Sequence, residues 1–254
     1  MSEILTQDQT LNYILEKIIS KKSASFIRKS DGENIVLSYG SLKSIPFHKY
    51  RKKLVHYNIP IWDIPFQLFI RTELINAFSN ATLLGISPTN HRHGYWAMEE
   101  EILNYYSLQD ILHCDMNFHM GFIKLPRQNN LINLIAEEII TNRNIGIISH
   151  CEVENFLNHY DSKVITRIEI PKRCAKLQRM TRIKYDVVLF EIKKYCSSVD
   201  IWLVAAGIYA KPFCEYIRQN GSIGIDIGSS MDSWLNEYNS RGHLRRLIKE
   251  YNTK

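Results

Sequence analysis

The stretch IWLVAAGIYAKPFCEYIRQNGSIGIDIG, residues 201–228, decides the fold. Residues 201–205 are a short apolar run of the kind that forms a strand buried on both faces. Gly207 is a turn signal, residues 210–219 have helical length, and residues 222–227 (SIGIDI) form a second buried strand. A strand, a helix and a strand in so few residues make a βαβ unit, whose two strands run parallel.

The same alternation continues outward. Upstream lie a strand at 144–149 (NIGIIS), a short helix at 152–159, a strand at 164–170 (VITRIEI) and a helix at 181–195. Toward the N-terminus the pattern predicts a helix at 8–20, a strand at 25–28 (SFIR), a turn at 30–33 (SDGE) and a basic helix at 48–56. A helix at 66–78, a strand at 81–86 (ATLLGI), a helix at 95–106, a strand around 119–123 and a helix at 131–141 follow. From Met231 the chain reads as helical to its end. The expected class is α/β: a Rossmann-like, mostly parallel sheet with helices on both faces. One domain is expected over 1–254, with an N-terminal helix in 1–21 and a basic C-terminal helix in 236–254.

Composition narrows the class of function. With 45% apolar and 23% charged residues, the chain of 254 residues can bury a sizeable core, and disorder is excluded as its main state. The five cysteines are widely spaced with no C-x-x-C, which fits a reducing cytosol and argues against a disulfide framework or a cysteine zinc site. No basic-then-apolar leader is visible, and the longest apolar run is about half of a membrane span. The net charge of +6 is uneven: residues 1–60 carry 10 basic and 5 acidic side chains, 61–160 carry 5 and 11, and 161–254 carry 17 and 10. Two basic ends around an acidic middle suit an anionic ligand held by both ends, or simply solvated helix faces.

Ligands of open α/β sheets sit beyond the carboxyl ends of the strands, so the loops there carry the chemistry. In Arg28-Lys29-Ser30-Asp31-Gly32-Glu33, two carboxylates two residues apart in a turn can face one hard cation, and Arg28 can pair with phosphate oxygens. At Gly207-Ile208-Tyr209-Ala210-Lys211 a glycine turn and a helix start favour an anion, although neither a full G-x-G-x-x-G nor a Walker pattern is present. Asp226-Ile227-Gly228-Ser229-Ser230-Met231-Asp232 offers a strand end, a glycine turn and a carboxylate; Asp232 is a base, a metal or sugar contact, or a helix N-cap. His91-Arg92-His93-Gly94-Tyr95-Trp96 suits a phosphate or sugar contact or a capping loop over a core Trp.

These loops together resemble the GT-D fold glycosyltransferases, a bacterial group once known only as a domain of unknown function. Arg28, Asp31, Gly32 and Glu33 stand where that group has an R-x-x-D-G-E-like stretch, and residues 201–228 match its closing strand, small-residue turn, helix and D-I-G. LLGISP at 83–88 and VITRIEIPKR at 164–173 fit in order and spacing, so the resemblance runs over roughly 22–235. It implies transfer of a sugar from a nucleotide-sugar, usually a UDP-sugar, with Mn2+ or Mg2+ held by Asp31 and Glu33. It also implies donor contacts from Arg28, Gly32, Gly207 and the Asp226–Gly228 turn, to which Lys211, His91 and Arg92 are added on chemical grounds. Many relatives follow D-I-G with a His and a nearby acid; here Ser229, Ser230, Met231 and Asp232 follow, which makes Asp232 the candidate base beside Asp31.

The expected acceptor is a glycan, a glycoprotein or a lipid-linked sugar, in the cytoplasm or at the inner face of the membrane. Arg241, Arg245, Arg246 and Lys249 form a basic C-terminal helix that either meets anionic lipid or is simply solvated. Two rival readings are a nucleic-acid-binding module and another Rossmann-like enzyme using NAD or a methyl donor. Against them stand the lack of any nucleic-acid-binding motif, so that no nucleic-acid partner is expected, and the missing glycine fingerprint.

Overall fold

Phe26 and Ile27 are neighbours in sequence but pack into two different apolar layers, as do Leu83 and Leu84, and Ile147 and Ile148. Alternation of this kind on wholly buried strands means that both faces of the sheet are covered. The structure, a computed structural model, describes residues 4–42, 45–87, 97–125, 132–172, 179–240 and 242–252. Its strands are β1 (Ala24–Arg28), β2 (Leu83–Ile86), β3 (His113–Asp115), β4 (Asn144–Ile148), β5 (Lys163–Ile168), β6 (Ile201–Val204) and β7 (Ile223–Asp226). They form one sheet in the order β3-β2-β1-β7-β6-β4-β5, with every pair parallel. The first and last strands are thus central neighbours, with Phe26 in register with Ile225.

Helices α2 (Asp31–Ser38), α3 (Phe47–His56), α4 (Ile64–Ser79), α5 (Glu99–Tyr105), α8 (Arg182–Tyr195) and α9 (Ala210–Gln219) contribute to one apolar layer. Helices α1 (Gln7–Ile19), α6 (Leu134–Ile140), α7 (Glu154–Asn158) and α10 (Ser230–Trp234) contribute to the other. A last helix, α11 (Gly242–Asn252), follows α10. The α/β architecture expected from the sequence is therefore present. Among the described residues no helix is long and apolar enough to cross a membrane, and Cys114, Cys151, Cys196 and Cys214 are buried free thiols.

Three local expectations are corrected. Residues 30–33 do not make a free turn: Ser30 is the N-cap of α2, and Asp31, Gly32 and Glu33 are its first turn. Ser30 and Glu33 close a capping box, so S-x-x-E acts here as a helix start signal. The strand placed around 119–123 is a 3-10 helix, Met116–Phe122, and the strand before it is β3. Asp115 caps the coil by accepting from the Asn117 N–H at 2.8 Å, and its apolar side chains are buried in either conformation, so the pattern could not separate the two. The helix from Met231 onward stops at Trp234: Asn236 takes a left-handed conformation (φ 61°) and ends it.

Candidate active site

A cavity of about 850 Å3 opens beyond the carboxyl ends of β1, β4, β6 and β7. Of the residues singled out in the sequence, Arg28, Asp31, Glu33, Gly207, Lys211, Gly228 and Asp232 line it. Gly32 and Asp226 sit behind this lining. His91 and Arg92 lie outside the described residues.

Arg28 ends β1 and reaches across to the neighbouring strand. Its Nε donates to the Asp226 carbonyl at 3.1 Å, and its Nη2 donates to the Asp226 carboxylate at 3.4 Å. Gly228 makes this possible: its φ is +50°, and a Cβ there would overlap the Arg28 guanidinium. Asp226, read in the sequence as a donor contact, is instead a buried anchor for cations.

Lys211 lies in the first turn of α9, after Gly207 (φ 59°). Its ammonium is 2.8 Å from Asp226 and 3.2 Å from Glu33, and also donates to the Gly207 carbonyl at 3.0 Å. All three charged side chains are buried. Burial is the largest single influence and pushes the Glu33 and Asp226 carboxyls up, but Lys211 together with Ser30 at Glu33, and Lys211 together with Arg28 at Asp226, reverse it, so both lie below their usual values. Burial pushes Lys211 down, and the two carboxylates more than reverse this. The floor of the cavity is therefore a fixed array of full charges.

Asp31, in the same first turn of α2 as Glu33, also lines the cavity but has a different partner. It pairs with Lys53 of α3 at 3.0 Å, and both are partly exposed. Beside it, a Cβ on Gly32 would overlap the Tyr57 hydroxyl, so the glycine is what lets Tyr57 close on α2.

His119, His243 and Arg246 also line the cavity; sequence reasoning passed over the two histidines and read Arg246 only as part of a basic helix. The His119 and His243 rings lie 5.9 Å apart edge to face, and Ser229 Oγ is 3.1 Å from His243 Nε2. Burial, then Arg28, then His243 hold His119 well below its ordinary value, and burial, then Arg28 and Arg246, lower His243. The basic C-terminal helix thus supplies side chains to the site; Arg241 itself lies outside the described residues.

Asp232 is not the N-cap of α10, a place taken by Ser229. Its Oδ1 accepts from the Cys151 thiol at 3.7 Å and its Oδ2 from the Ser240 hydroxyl at 2.7 Å. A carboxylate engaged on both oxygens is held in place, with acceptor sites to spare on each.

A family model for the GT-D fold-like domain matches residues 5–234. The chain belongs to the GT-D-like family. Solved structures agree on the fold. One, described as the highly conserved domain of unknown function 1792 with a distinct glycosyltransferase fold, is 17% identical, with a TM-score of 0.60 over 93% of this chain and 81% of that one. Another, described as a new glycosyltransferase of the same domain from Streptococcus sanguinis, is 15% identical, with a TM-score of 0.59 over 92% and 84%. No curated protein matches the sequence. Family and fold together place the chain in the GT-D-like family, with the glycosyltransferase fold described for those structures.

In this GT-D-like chain, the D-x-E carboxylates fit a hard cation unequally. Asp31 offers an oxygen donor on the cavity wall whose lysine partner is partly exposed and can swing away. Glu33 has its oxygens held by Lys211 and Ser30, so it joins a cation only when the ammonium moves off.

Proposed function

We propose that this GT-D-like protein transfers a sugar from a nucleoside diphosphate sugar, with UDP as the nucleotide, to a hydroxyl of a glycan, a glycoprotein or a lipid-linked acceptor. The observation that carries the reading is the meeting of Arg28, Lys211, His243 and Arg246 around one cavity at the carboxyl ends of parallel strands. Such a site matches a diphosphate in charge and size better than it matches a long polyanion, which would need an open basic groove.

As the bond to the sugar breaks, negative charge grows on the departing diphosphate. Arg28 is already fixed by Asp226, so its guanidinium stabilises that charge without first being ordered. Lys211 holds Glu33 and Asp226 in place below it, and the turn at Gly207 lets phosphate oxygens approach the backbone. We assign Asp31, with Glu33 when Lys211 turns away, to a divalent Mn2+ or Mg2+, which when bound would neutralise the diphosphate. On this reading the exposed Arg245 and Arg246 of α11 place basic charge beside the cavity, facing a lipid-linked acceptor at a membrane surface.

A thermal-shift panel of UDP-sugars, UDP, NAD and S-adenosylmethionine tests the reading. UDP and at least one UDP-sugar should raise Tm, and the Arg28→Ala variant should lose the shift. Stabilisation by NAD or S-adenosylmethionine alone would replace it with another cofactor chemistry, and tight salt-dependent binding of RNA or DNA with no response to UDP would replace it with nucleic-acid binding.

A further inference from the structure

We propose that His150, Cys151 and Asp232 form a site for a thiophilic divalent cation, zinc above all, set in the wall of the donor cavity and separate from the oxygen-only pair Asp31 and Glu33. The three ligand atoms lie within 4.8 Å of one another, and among the described residues no other group of three or more His, Cys, Asp and Glu side chains converges in this way. Cys151 Sγ is 3.6 Å from His150 Nε2 and 3.7 Å from Asp232 Oδ1. A tetrahedral zinc with bonds of about 2.3 Å to sulfur and about 2.1 Å to nitrogen and oxygen needs its sulfur about 3.6 Å from each of the other two ligands. Two edges of the ligand triangle are therefore already at length, and only the edge from His150 to Asp232 has to tighten.

The surroundings are those of a ligand set. His150 and Cys151 follow β4, and Asp232 lies on α10, just beyond β7, so three ligands come from only two short segments anchored on the sheet. The Ser149 hydroxyl accepts from the Cys151 N–H at 3.0 Å and fixes the backbone there. The Ser240 hydroxyl donates to the second Asp232 oxygen at 2.7 Å, the outer contact that orients a ligating carboxylate. Val153 and Ile227 are fully buried nearby in the chain and help keep water from the thiol side.

His150 and Asp232 line the cavity and Cys151 is buried behind them. The fourth tetrahedral position thus faces the cavity, where a water or a substrate oxygen completes the shell. One sulfur, one nitrogen and one oxygen select zinc over manganese and magnesium, which prefer oxygen alone. Binding exchanges the thiol proton for the metal: Cys–SH and Zn2+ give Cys–S–Zn and a proton released to solvent. The bound ion balances the negative charges of the thiolate and the carboxylate. It also gives Asp232 a role that uses its present orientation.

The test uses the full chain with metal alone, without a sugar donor, so its outcome is independent of the transferase reading. Metal-free protein is titrated with Zn2+ and, in parallel, with Co2+, whose thiolate complexes show a sulfur-to-cobalt absorption band. One equivalent of Co2+ should bind with that band present, and Zn2+ should displace it. Cys151→Ser should abolish the band, and His150→Gln should weaken binding at least tenfold, while Asp31→Asn should leave zinc affinity unchanged. His150 is only partly buried, so its variant carries the test if Cys151→Ser does not fold. Failure to bind zinc, binding without a sulfur band, or equal binding by wild type and His150→Gln overturns the proposal.

Discussion

Arg28 and Asp226, at the carboxyl ends of the first and last strands, hold each other by two hydrogen bonds, one to the carbonyl at 3.1 Å and one to the carboxylate at 3.4 Å. The contact exists because β1 and β7 are neighbours in the middle of the sheet. It turns a mobile arginine into a positioned one, and Gly228 is the residue that makes room for it.

Gly228→Ala should therefore mimic loss of Arg28. A Cβ there displaces the guanidinium and adds backbone strain of about 1–3 kcal/mol at positive φ. A charge-assisted hydrogen bond contributes about 1.5–3 kcal/mol, so UDP affinity measured by calorimetry should fall roughly ten- to a hundredfold in either single variant. The double variant should bind little worse than Arg28→Ala, since both act through one contact. Additive losses would show that Gly228 acts independently of Arg28.

Lys211 pairs with Glu33 and Asp226 at once, and all three are buried. Lys211→Met leaves two carboxylates close together without that cation, and removing one partner of a buried ion pair costs about 3–5 kcal/mol. Urea unfolding should show a loss of this order. A loss below about 1 kcal/mol would mean that water reaches the network and screens it.

His119 predicts an acid-side loss of stability. Burial comes first among the causes of its lowered value, followed by Arg28, His243 and Lys211, with the Met116 carbonyl acting in the opposite sense. The unfolded histidine titrates near its ordinary value of about 6.5, so just below that pH the unfolded chain holds the extra proton and the folded chain does not. The contribution is full above about pH 6.5 and is lost as pH falls below it. His119→Gln should reduce the slope of unfolding free energy against pH between about 7 and 5. An unchanged slope would assign the acid sensitivity to other groups, His243 and His150 among them.

On the proposed metal assignment, Lys53, which pairs with Asp31, competes with the cation for it. Lys53→Ala should tighten Mn2+ binding a few-fold, read by isothermal titration or by the electron paramagnetic resonance signal of free Mn2+. Asp31→Asn should weaken it about tenfold or more, as expected when a charged ligand is removed from a site of so few ligands. Weaker Mn2+ binding in Lys53→Ala would show that the cation lies elsewhere.

The two stretches that line the cavity stood out in the sequence, Asp-Gly-Glu as a polar turn that proves to be a helix start, and Asp-Ile-Gly as the exit of an apolar strand. Their meeting did not, since only the order of strands in the sheet brings residue 28 to residue 226. The roles of Glu33 and Asp226 were hidden for the same reason: whether a carboxylate faces a ligand or a buried lysine depends on Lys211, which lies far from Glu33 in the chain. His243 and Arg246 read as part of a solvated basic helix because nothing in a charge pattern shows that α11 sits against the cavity. His119 fell in a run whose apolar residues are buried in coil and strand alike.

The most direct measurement is UDP release from a panel of UDP-sugars by purified protein, with Mn2+ and then with EDTA, for wild type and Asp31→Asn. At least one UDP-sugar should be turned over with Mn2+, and both EDTA and Asp31→Asn should stop turnover while leaving the thermal unfolding curve intact. Full turnover in EDTA and in Asp31→Asn would contradict the metal assignment. No UDP release from any donor in the panel, by a protein that also shows no UDP binding, would contradict transfer from a UDP-sugar altogether.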